Sequence, residues 1–277
     1  MSFKKRVGSL IPYRLIEVGR RVVHFGPYRC EICAALTRGR LDSGYGYPVL
    51  EKLCVVGGMK RRRDRCPVCH SGARERLICF YLGRHHPDLK SGKADLRIAH
   101  FAPEKGLSAW FRAKAPARYA AYDFQPGRYR HMRSVEYQNL EALTLSESSV
   151  DLLVCNHVME HVFNLEAALA EVSRVLKRDG LALMQVPIAL RLDETRDGGQ
   201  NMGAIERIDQ FGQDDHVRLF SLEGYIAKLE GAGFEISPYN PFDEEPVAAT
   251  EAELDPLERL FLIRRAWPER NISDSQI

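Results

Sequence analysis

Residues 150–188 read VDLLVCNHVMEHVFNLEAALAEVSRVLKRDGLALMQVPI, and they show the clearest pattern of strands and helices in the chain. It starts with an apolar run, continues with a helix-like segment that Gly180 closes, and returns to apolar residues in LALMQVPI. Neighbouring strands that are joined through a helix run parallel, because a parallel pair needs a long crossover connection. The stretch therefore predicts a parallel strand–helix–strand unit.

The same alternation extends to both sides of this unit. Upstream, the strands LRIAHFA and RYAAYDF enclose the helix GLSAWFRAKA; downstream, the helix SLEGYIAKLEGAG precedes the strands FEISPYN and LERLFLIRRA. Alternating strands and helices are typical of a parallel sheet with helices on both faces. The last two strands lack a helix between them, so we expect an antiparallel pair at one edge. The predicted fold class is α/β: a doubly wound, Rossmann-like sheet with an antiparallel edge strand.

The bulk composition is that of a soluble globular protein. Of the 277 residues, 45% are hydrophobic and 28% are charged, which is ordinary for this class. No window approaches 18 consecutive apolar residues, so we expect no transmembrane segment. The N-terminus, MSFKKRVGSLIPYRL, has neither a long apolar core nor a small-residue cleavage site. We therefore expect no signal peptide and a cytoplasmic protein.

Charge divides the chain into a basic third and an acidic remainder. Residues 1–90 hold 19 Lys and Arg against 7 Asp and Glu, whereas residues 91–277 hold 21 against 30. Together with the change of residue pattern, this predicts a basic amphipathic lead segment at 1–27, a cysteine-containing module with a following helix at 28–90, and an α/β domain at 91–277. The basic third suits an anion such as RNA, an anionic membrane surface or a phosphorylated substrate. Plain solvated charge explains it equally well.

Seven cysteines, an odd number without a secretory signal, favour metal binding over a disulfide framework. Cys30 and Cys33 form one C-x-x-C pair, and Cys66 and Cys69 form a second. Each pair can place two thiolates about 2.3 Å from one Zn²⁺, and two pairs complete a tetrahedral site. We predict a small zinc-ribbon-like module with a structural Zn²⁺ at these four residues. Buried free thiols and a redox pair are the alternatives.

The loop IAHFAPEKG at 98–106 stands where a predicted strand passes into a helix. In a doubly wound sheet, ligands bind at the carboxyl ends of the strands, near the point where the strand order reverses. A glycine-rich loop is expected there, yet only Gly106 is glycine. Asp123 ends the next strand 17 residues later, near the spacing of a carboxylate that binds ribose hydroxyls.

With these features, the sequence resembles the class I S-adenosylmethionine-dependent methyltransferases, and within them the type 11 group. The similar segment is LTLSESSVDLLVCNHVMEHVFNLEAALAEVSRVLKRDGLALMQVPI, and the resemblance extends over most of the predicted α/β domain. More narrowly, CPVCHSGARERL, HFAPEKGL and FGQDDHVRLF resemble a bacterial subfamily with a cysteine-rich N-terminal module. In that subfamily, HFAPEKGL stands in the place of the glycine-rich loop.

The resemblance implies a set of contacts with S-adenosylmethionine. The loop would meet the methionine moiety, Asp123 the ribose hydroxyls, Asn139 and Leu140 the adenine edge, and the end of the next strand the methylthio region. The implied cofactor-binding residues are His100, Ala102, Glu104, Gly106, Asp123, Asn139, Leu140, Asn156 and His157. The cofactor carries no phosphate, so it does not need a nest of glycine N–H groups. Glu104 either meets a cation of the cofactor or simply starts the next helix.

The segment FGQDDHVRLFS at 211–221 lies where the substrate is expected, and it is rich in polar groups. A methyl acceptor on oxygen or nitrogen must lose a proton, so a base within hydrogen-bond reach helps. We predict His216 first, and His157 second, as catalytic residues. A charged loop that caps a helix is the alternative interpretation.

Residues 157–161 also match H-x-x-E-H, a pattern of zinc peptidases. Their position at a strand end makes a zinc peptidase only a remote alternative. The sequence thus predicts an S-adenosylmethionine-dependent methyltransferase that acts on an oxygen or nitrogen atom of an unidentified acceptor, either RNA or a sugar or cell-envelope precursor. The main rival is a zinc-ribbon binding module on a catalytically degenerate methyltransferase fold.

Overall fold

The computed structural model describes residues 26–92, 95–129, 132 and 134–266. The predicted lead segment at 1–27 therefore lies almost entirely outside the described residues. Within those ranges, no helix has both the length and the apolar character needed to cross a membrane.

The described N-terminal part is built from short strands and three helices. They are β1 (Tyr28–Arg29), β2 (Leu36–Thr37), β3 (Leu41–Ser43), α1 (Pro48–Lys52), β4 (Val55–Val56), β5 (Arg61–Arg65), α2 (Ala73–His85) and α3 (Pro87–Ser91). Strands β1 and β2 pair antiparallel, as do β3 and β5. Two small hairpin-like ribbons thus carry the two C-x-x-C pairs.

The remainder of the described chain alternates strands and helices, as the sequence predicts. The elements are β6 (Ile98–Phe101), α4 (Lys105–Lys114), β7 (Tyr119–Asp123), β8 (Val135–Tyr137), β9 (Val150–Cys155), α5 (Leu165–Val175), β10 (Leu176–Leu183), β11 (Ile188–Ala189), β12 (Arg196–Asp197), α6 (Ala204–Phe211), β13 (Arg218–Leu219), α7 (Leu222–Gly231), β14 (Phe234–Tyr239), α8 (Pro241–Glu244), α9 (Pro246–Glu251) and β15 (Leu260–Arg265). Two short 3₁₀ turns lie at Pro126–Tyr129 and Gly199–Asn201.

Seven of these strands form one central sheet in the order β8-β7-β6-β9-β10-β15-β14. Strands β6 to β10 pair parallel with their neighbours, while β15 is antiparallel to both β10 and β14. The mixed α/β sheet and its antiparallel terminal pair confirm the predicted fold class. The strand that runs against the others, β15, lies one place inside the edge, and β14 is the edge strand. The strand order reverses between β6 and β9, so this switch point is where a ligand site is expected.

Side chains of the central strands alternate between two cores. On one face, Ile98 and Leu152 pack with apolar residues of α2 and α4. On the other face, Ala99 and Leu153 pack with apolar residues of α5 and α7. Successive residues of a strand point to opposite faces, so the mostly apolar strands β6 and β9 contribute to both cores, with His100 and Asp151 as their polar residues. Helices therefore cover both faces of the sheet.

Two local predictions differ from the structure. The predicted helix up to Gly180 ends at Val175, and β10 starts at once with Leu176, whose backbone is already extended. The apolar residues of YPVLEKLCVV predict short strands, but the segment contains helix α1, in which Pro48 occupies the first turn, where its missing N–H costs nothing. Strand β4 follows only at Val55–Val56.

The N-terminal part is joined to the rest of the described chain by several contacts across the predicted boundary at residue 91. Strand β4 pairs antiparallel with β11. Arg40 forms an ion pair with Glu253, and Arg61 forms one with Asp255. The division into a module at 28–90 and a domain at 91–277 stays a prediction, but residues 28–90 help to build the surroundings of the switch point.

Candidate functional site

The four predicted zinc ligands converge. The sulfur atoms of Cys30, Cys33, Cys66 and Cys69 all lie within 4.8 Å of one another. The Sγ atoms of Cys30 and Cys69 are 3.7 Å apart, and those of Cys33 and Cys66 are 3.8 Å apart. Four sulfurs about 2.3 Å from a tetrahedral Zn²⁺ are about 3.8 Å from each other. The donor set and its spacing therefore fit zinc.

The backbone shapes the two C-x-x-C pairs in the same way. Ala34 and His70 both adopt left-handed backbone conformations, with φ of 56° and 64°. The amide of Cys30 donates to the carbonyl of Ala35, and the amide of Cys66 donates to the carbonyl of Ser71, each at 2.9 Å. Two equivalent turns thus present their thiols to one point, which local sequence spacing alone does not guarantee.

A cavity of about 270 Å³ opens at the carboxyl ends of β6 and β7. Four of the predicted cofactor residues line it: Ala102, Asp123, Asn139 and Leu140. The remaining wall is mostly apolar and includes Phe101, Val158 and Val162. The switch point of the sheet therefore carries a mostly apolar cavity that is also lined by two acidic residues, Asp123 and Glu141.

The carboxylate of Asp123 is fixed by its own loop. The amide of Gln125 donates to one oxygen at 2.6 Å, and the hydroxyl of Tyr129 donates to the other at 2.8 Å. Asn139 is similarly fixed, because its side-chain oxygen accepts a hydrogen bond from the amide of Glu141 at 3.0 Å. The polar groups of the cavity are thus oriented before any ligand arrives.

His100 does not face the cavity. Its side chain is 0% exposed; Nδ1 lies 3.0 Å from the hydroxyl of Tyr119, and Nε2 lies 2.8 Å from an oxygen of Glu104. Tyr119 in turn donates to Ser108 at 2.9 Å. Both ring nitrogens are therefore occupied within the protein, and the geometry favours a role of His100 in positioning Glu104.

Glu104 joins three parts of the chain. One oxygen accepts from His100, and the other accepts from the side chain of Asn156 at 3.1 Å and lies 3.5 Å from the guanidinium of Arg74. Burial opposes ionisation of Glu104, but the hydrogen bond from His100 and the charge of Arg74 outweigh it and keep the pKa of Glu104 below its usual value. Both oxygens already have protein partners, so Glu104 ties the loop to the end of β9.

Gly106 lies against the cysteine cluster and outside the lining of the cavity. A Cβ atom at this position would be 2.1 Å from the Ser71 hydroxyl and 3.2 Å from the sulfur of Cys69. Only glycine permits this approach, so Gly106 serves the packing of α4 against the second C-x-x-C turn. This use of the glycine differs from the cofactor contact that the resemblance implies.

Asn156 and His157 end β9 beneath the N-terminal part. His157 adopts a left-handed conformation, with φ of 53°, and its amide donates to the carbonyl of Gln185 at 2.7 Å. A Cβ atom on Gly57 would be 2.7 Å from the His157 ring, so the turn after β4 covers this histidine. Burial, reinforced by the charge of Arg74, lowers the pKa of His157 well below its usual value.

The two predicted catalytic histidines meet at Glu160. His157 Nδ1 lies 3.6 Å, and His216 Nε2 lies 4.0 Å, from the same oxygen of Glu160. The His161 ring stands edge-on to that of His216, with 4.7 Å between the ring centroids. Burial lowers the pKa of His216 to about 3 and raises that of Glu160 to about 7. A neutral, weakly basic imidazole is a poor general base at neutral pH.

Sequence reasoning missed Arg74, Glu160 and His161 as site residues. Arg74 is part of the segment CPVCHSGARERL, and it lies 3.2 Å from Glu75 as well as near Glu104. Glu160 and His161 belong to the H-x-x-E-H pattern, which suggested only a peptidase. Residues 157–163 form turns and bends rather than a helix, so the helical arrangement that a peptidase requires is not present there.

A larger cavity, of about 920 Å³, lies elsewhere, between α5 and α7. Its polar wall includes Asp197, which pairs with Arg218 at 2.7 Å and Lys228 at 3.0 Å. None of the predicted cofactor residues lines it. The smaller cavity at the switch point is therefore the candidate site.

Comparison with known proteins finds matches to the segment that contains most of this site. Residues 105–184 match a family model described as a methyltransferase domain. A protein of Mycolicibacterium smegmatis, described as a probable S-adenosylmethionine-dependent methyltransferase, is 26% identical over 138 residues. The match covers 48% of this chain and 49% of that protein, so the chain spans about half the length of this curated relative.

The similarity of this chain to solved structures is weaker. An S-adenosylmethionine-dependent methyltransferase from Mesorhizobium loti has a TM-score of 0.40 and 15% identity over 65% of this chain and 96% of its own. The trans-methyltransferase CalH in complex with SAH has a TM-score of 0.39 and 15% identity over 69% of this chain and 55% of its own. Scores of this size add nothing on function. Residues 105–184 are thus similar to a methyltransferase domain, and part of the chain is similar to a probable S-adenosylmethionine-dependent methyltransferase.

Proposed function

We propose that the chain is an S-adenosylmethionine-dependent methyltransferase that transfers a methyl group to an oxygen or nitrogen atom of its acceptor. The observation that carries this proposal is the cavity at the switch point, where Ala102, Asp123, Asn139 and Leu140 converge. The last three of these residues belong to the segment 105–184 that matches a methyltransferase domain. Residues 91–277 would form this domain.

The side chains that line the cavity have the chemical character that binding of S-adenosylmethionine would require. Asp123 would accept hydrogen bonds from the ribose hydroxyls, because its carboxylate is held in place by Gln125 and Tyr129. Asn139 and the backbone at Leu140 would meet the adenine edge, and the apolar wall would cover the ring. When bound, the cofactor supplies an electrophilic methyl group on a sulfonium.

The methionine end of the cofactor would lie toward Arg74, Glu104 and Asn156. Arg74 is the only cation that forms an ion pair with Glu104 among the described arginines and lysines, and its Nε is buried without a partner. A guanidinium with a spare donor is suited to a carboxylate. We therefore assign the cofactor carboxylate to Arg74 and a positioning role to Glu104 and His100.

The four cysteines would hold one structural Zn²⁺. Four thiolates leave no open coordination position, so the metal would stabilise the fold and take no part in the reaction. Through Gly106, which lies against Ser71 and Cys69, this metal site would fix the start of α4 and thereby the cofactor loop.

The acceptor would approach past the N-terminal part. The arginines Arg62, Arg63 and Arg65 of β5 are exposed, which suits an anionic acceptor such as RNA or a phosphorylated sugar or cell-envelope precursor. An RNA complex would weaken steeply with added salt, because the phosphates release bound counterions. RNA binding that is insensitive to salt would count against an RNA acceptor.

Calorimetry with S-adenosylmethionine tests the proposal directly. We expect one binding site per chain, lost in Asp123→Ala and retained in Glu230→Gln, an exposed residue of α7. The absence of binding at millimolar cofactor would favour the rival, a binding module on a degenerate methyltransferase fold. Labelled methyl transfer into fractionated lysate would then identify the acceptor class.

A further inference from the structure

Beside the proposed cofactor cavity lies a cluster of buried groups that the methyltransferase proposal does not use. Glu160 and His216 are each 1% exposed. Among the residues that the structure describes, neither oxygen of Glu160 and neither ring nitrogen of His216 has a hydrogen-bond partner. Buried charged and polar groups are nearly always paired, or they coordinate a metal. The cluster is therefore incomplete as it stands.

The spacing of the cluster is that of metal ligands. Glu160, His161 and His216 each offer a ligand atom, and these atoms all lie within 4.8 Å of one another. Glu160 Oε1 is 4.0 Å from Nε2 of His161 and 4.0 Å from Nε2 of His216. Ligands about 2.1 Å from one first-row metal ion stand about 3 to 4.2 Å apart. These distances are too long for hydrogen bonds but match two donors on a common ion.

We propose that Glu160, His161 and His216 bind a divalent first-row transition metal, a site separate from the four cysteines. Two imidazoles and one carboxylate are borderline donors, suited to Mn²⁺, Fe²⁺ or Zn²⁺. Three protein ligands leave coordination positions open, as in sites that act on a substrate. His157, whose Nδ1 lies 3.6 Å from the same oxygen of Glu160, stands beside the site as a further donor.

The backbone holds the ligands together from two distant segments. The amide of Val217 donates to the carbonyl of Glu160 at 2.9 Å. Arg218 donates to the carbonyl of Met159 at 2.7 Å. The segment 159–162 is thus fastened to the segment 216–218 independently of any metal. A site built on such fixed backbone needs little rearrangement to bind an ion.

His161 is oriented in the manner of a metal-bound histidine. Its Nδ1 lies 3.1 Å from the backbone carbonyl of Asp215. A ligand histidine usually donates its second N–H to a carbonyl or carboxylate, which leaves the other nitrogen for the metal. In this orientation Nε2, the atom that lies nearest to Glu160, is the one available to the ion.

The metal site lies beside the cofactor cavity, and its role in methyl transfer rests on the proposed function. His161 also lines the cavity that would hold the cofactor, so the ion would lie beside the methyl group. An open coordination position suits a hydroxyl oxygen of the acceptor, whose pKa falls on binding a divalent metal. The O–H proton leaves to solvent; the oxygen forms a bond to the methyl carbon as the carbon–sulfur bond breaks. The products are a methyl ether, S-adenosylhomocysteine and one proton, so the acceptor atom is oxygen.

Titration with Mn²⁺ of the full chain loaded with only about one zinc, enough for the cysteine site, tests the proposed site through the loss of the free-ion electron paramagnetic resonance signal. Mn²⁺ prefers oxygen and nitrogen over thiolates, so it leaves the cysteine site undisturbed. We expect about one Mn²⁺ per chain, displaced by added Zn²⁺. The affinity for Mn²⁺ should fall at least about tenfold in Glu160→Gln and in His216→Asn. A loss of this size already follows when a residue that only supports a metal ligand is replaced.

The matched controls are Glu230→Gln and His85→Asn, both exposed and remote from the cluster, which should bind Mn²⁺ as the unchanged protein does. Melting curves confirm that the two site variants are folded. Absence of Mn²⁺ binding, or equal affinity in all four variants, overturns the metal site.

Calorimetry with S-adenosylmethionine on the same samples separates the two proposals. Cofactor binding without Mn²⁺ binding removes only the metal site, and Mn²⁺ binding without cofactor binding removes only the methyltransferase.

Discussion

Gly106 and Ser71 touch so closely that no side chain fits between them: a Cβ atom at 106 would lie 2.1 Å from the Ser71 hydroxyl. This contact joins the start of α4, which follows the cofactor loop, to the turn that carries Cys66 and Cys69. Gly106, the one glycine of the loop, is therefore required by its close contact with Ser71 in the cysteine module.

Gly106→Ala should destabilise the protein. The added methyl group must displace Ser71 or the Cys69 turn within a packed interior, which typically costs about 1 to 3 kcal/mol. Denaturant unfolding measures the loss. Gly83→Ala is the control, since a Cβ atom there meets nothing within 4 Å, and it should be neutral or stabilising. Adding Ser71→Ala to Gly106→Ala should recover part of the lost unfolding free energy. If Gly106→Ala were as stable as the unchanged protein, the role of Gly106 in packing against Ser71 would be contradicted.

Glu104→Ala should weaken S-adenosylmethionine binding by about tenfold, the effect of losing one or two charge-assisted hydrogen bonds. The substitution removes the common acceptor of His100 and Asn156, so the loop and the end of β9 lose their link. Calorimetry measures the affinity. His100→Asn should show a similar loss although His100 is buried away from the cavity. Unchanged affinity in Glu104→Ala would reject the positioning role.

Stability should fall as the pH rises from about 4.5 to 7, in part because of Glu258. Burial raises the pKa of this carboxyl to about 7, so the folded state holds its proton where the unfolded state has lost it. The associated stability is present below the unfolded pKa and is lost as the pH rises to 7. The shift in pKa corresponds to an upper limit of about 3.5 kcal/mol.

Glu258→Gln is the variant that isolates this effect. An amide oxygen can still accept the hydrogen bond that Gln185 donates at 3.1 Å, and it carries no charge. The variant should match the unchanged protein near pH 4 and exceed it in unfolding free energy near pH 8. Parallel stability profiles across this range would show that Glu258 does not contribute.

Cys30→Ser should release the zinc of the cysteine cluster. Metal analysis is expected to give about one zinc fewer per chain, together with a lower melting temperature, because the two C-x-x-C turns lose their common centre. Cys54→Ser is the matched control, since Cys54 lies outside the cluster. Full zinc content in Cys30→Ser would show that the four thiols do not share an ion.

Much of the fold follows from local pattern. Apolar runs and helical periodicity predict nearly every strand of the central sheet, since each pattern depends only on residues close together in the chain. Boundaries were less predictable: α5 ends at Val175, where pairing with the neighbouring strand begins and overrides the helical preference of the residues that follow. That Asn139 and Leu140 lie near Asp123 was expected only from the resemblance to methyltransferases, because the strand before them, β8, was not predicted from pattern.

The strand–helix order, the two C-x-x-C pairs and the end of the sheet at which a ligand is expected can all be predicted from local sequence, because they follow from periodicity and turn residues. Tertiary packing, in contrast, buries His100 against Tyr119, places Gly106 against Ser71 and brings Glu160 near His216. Such contacts join residues far apart in the chain, and they depend on how the elements pack rather than on any pattern within them.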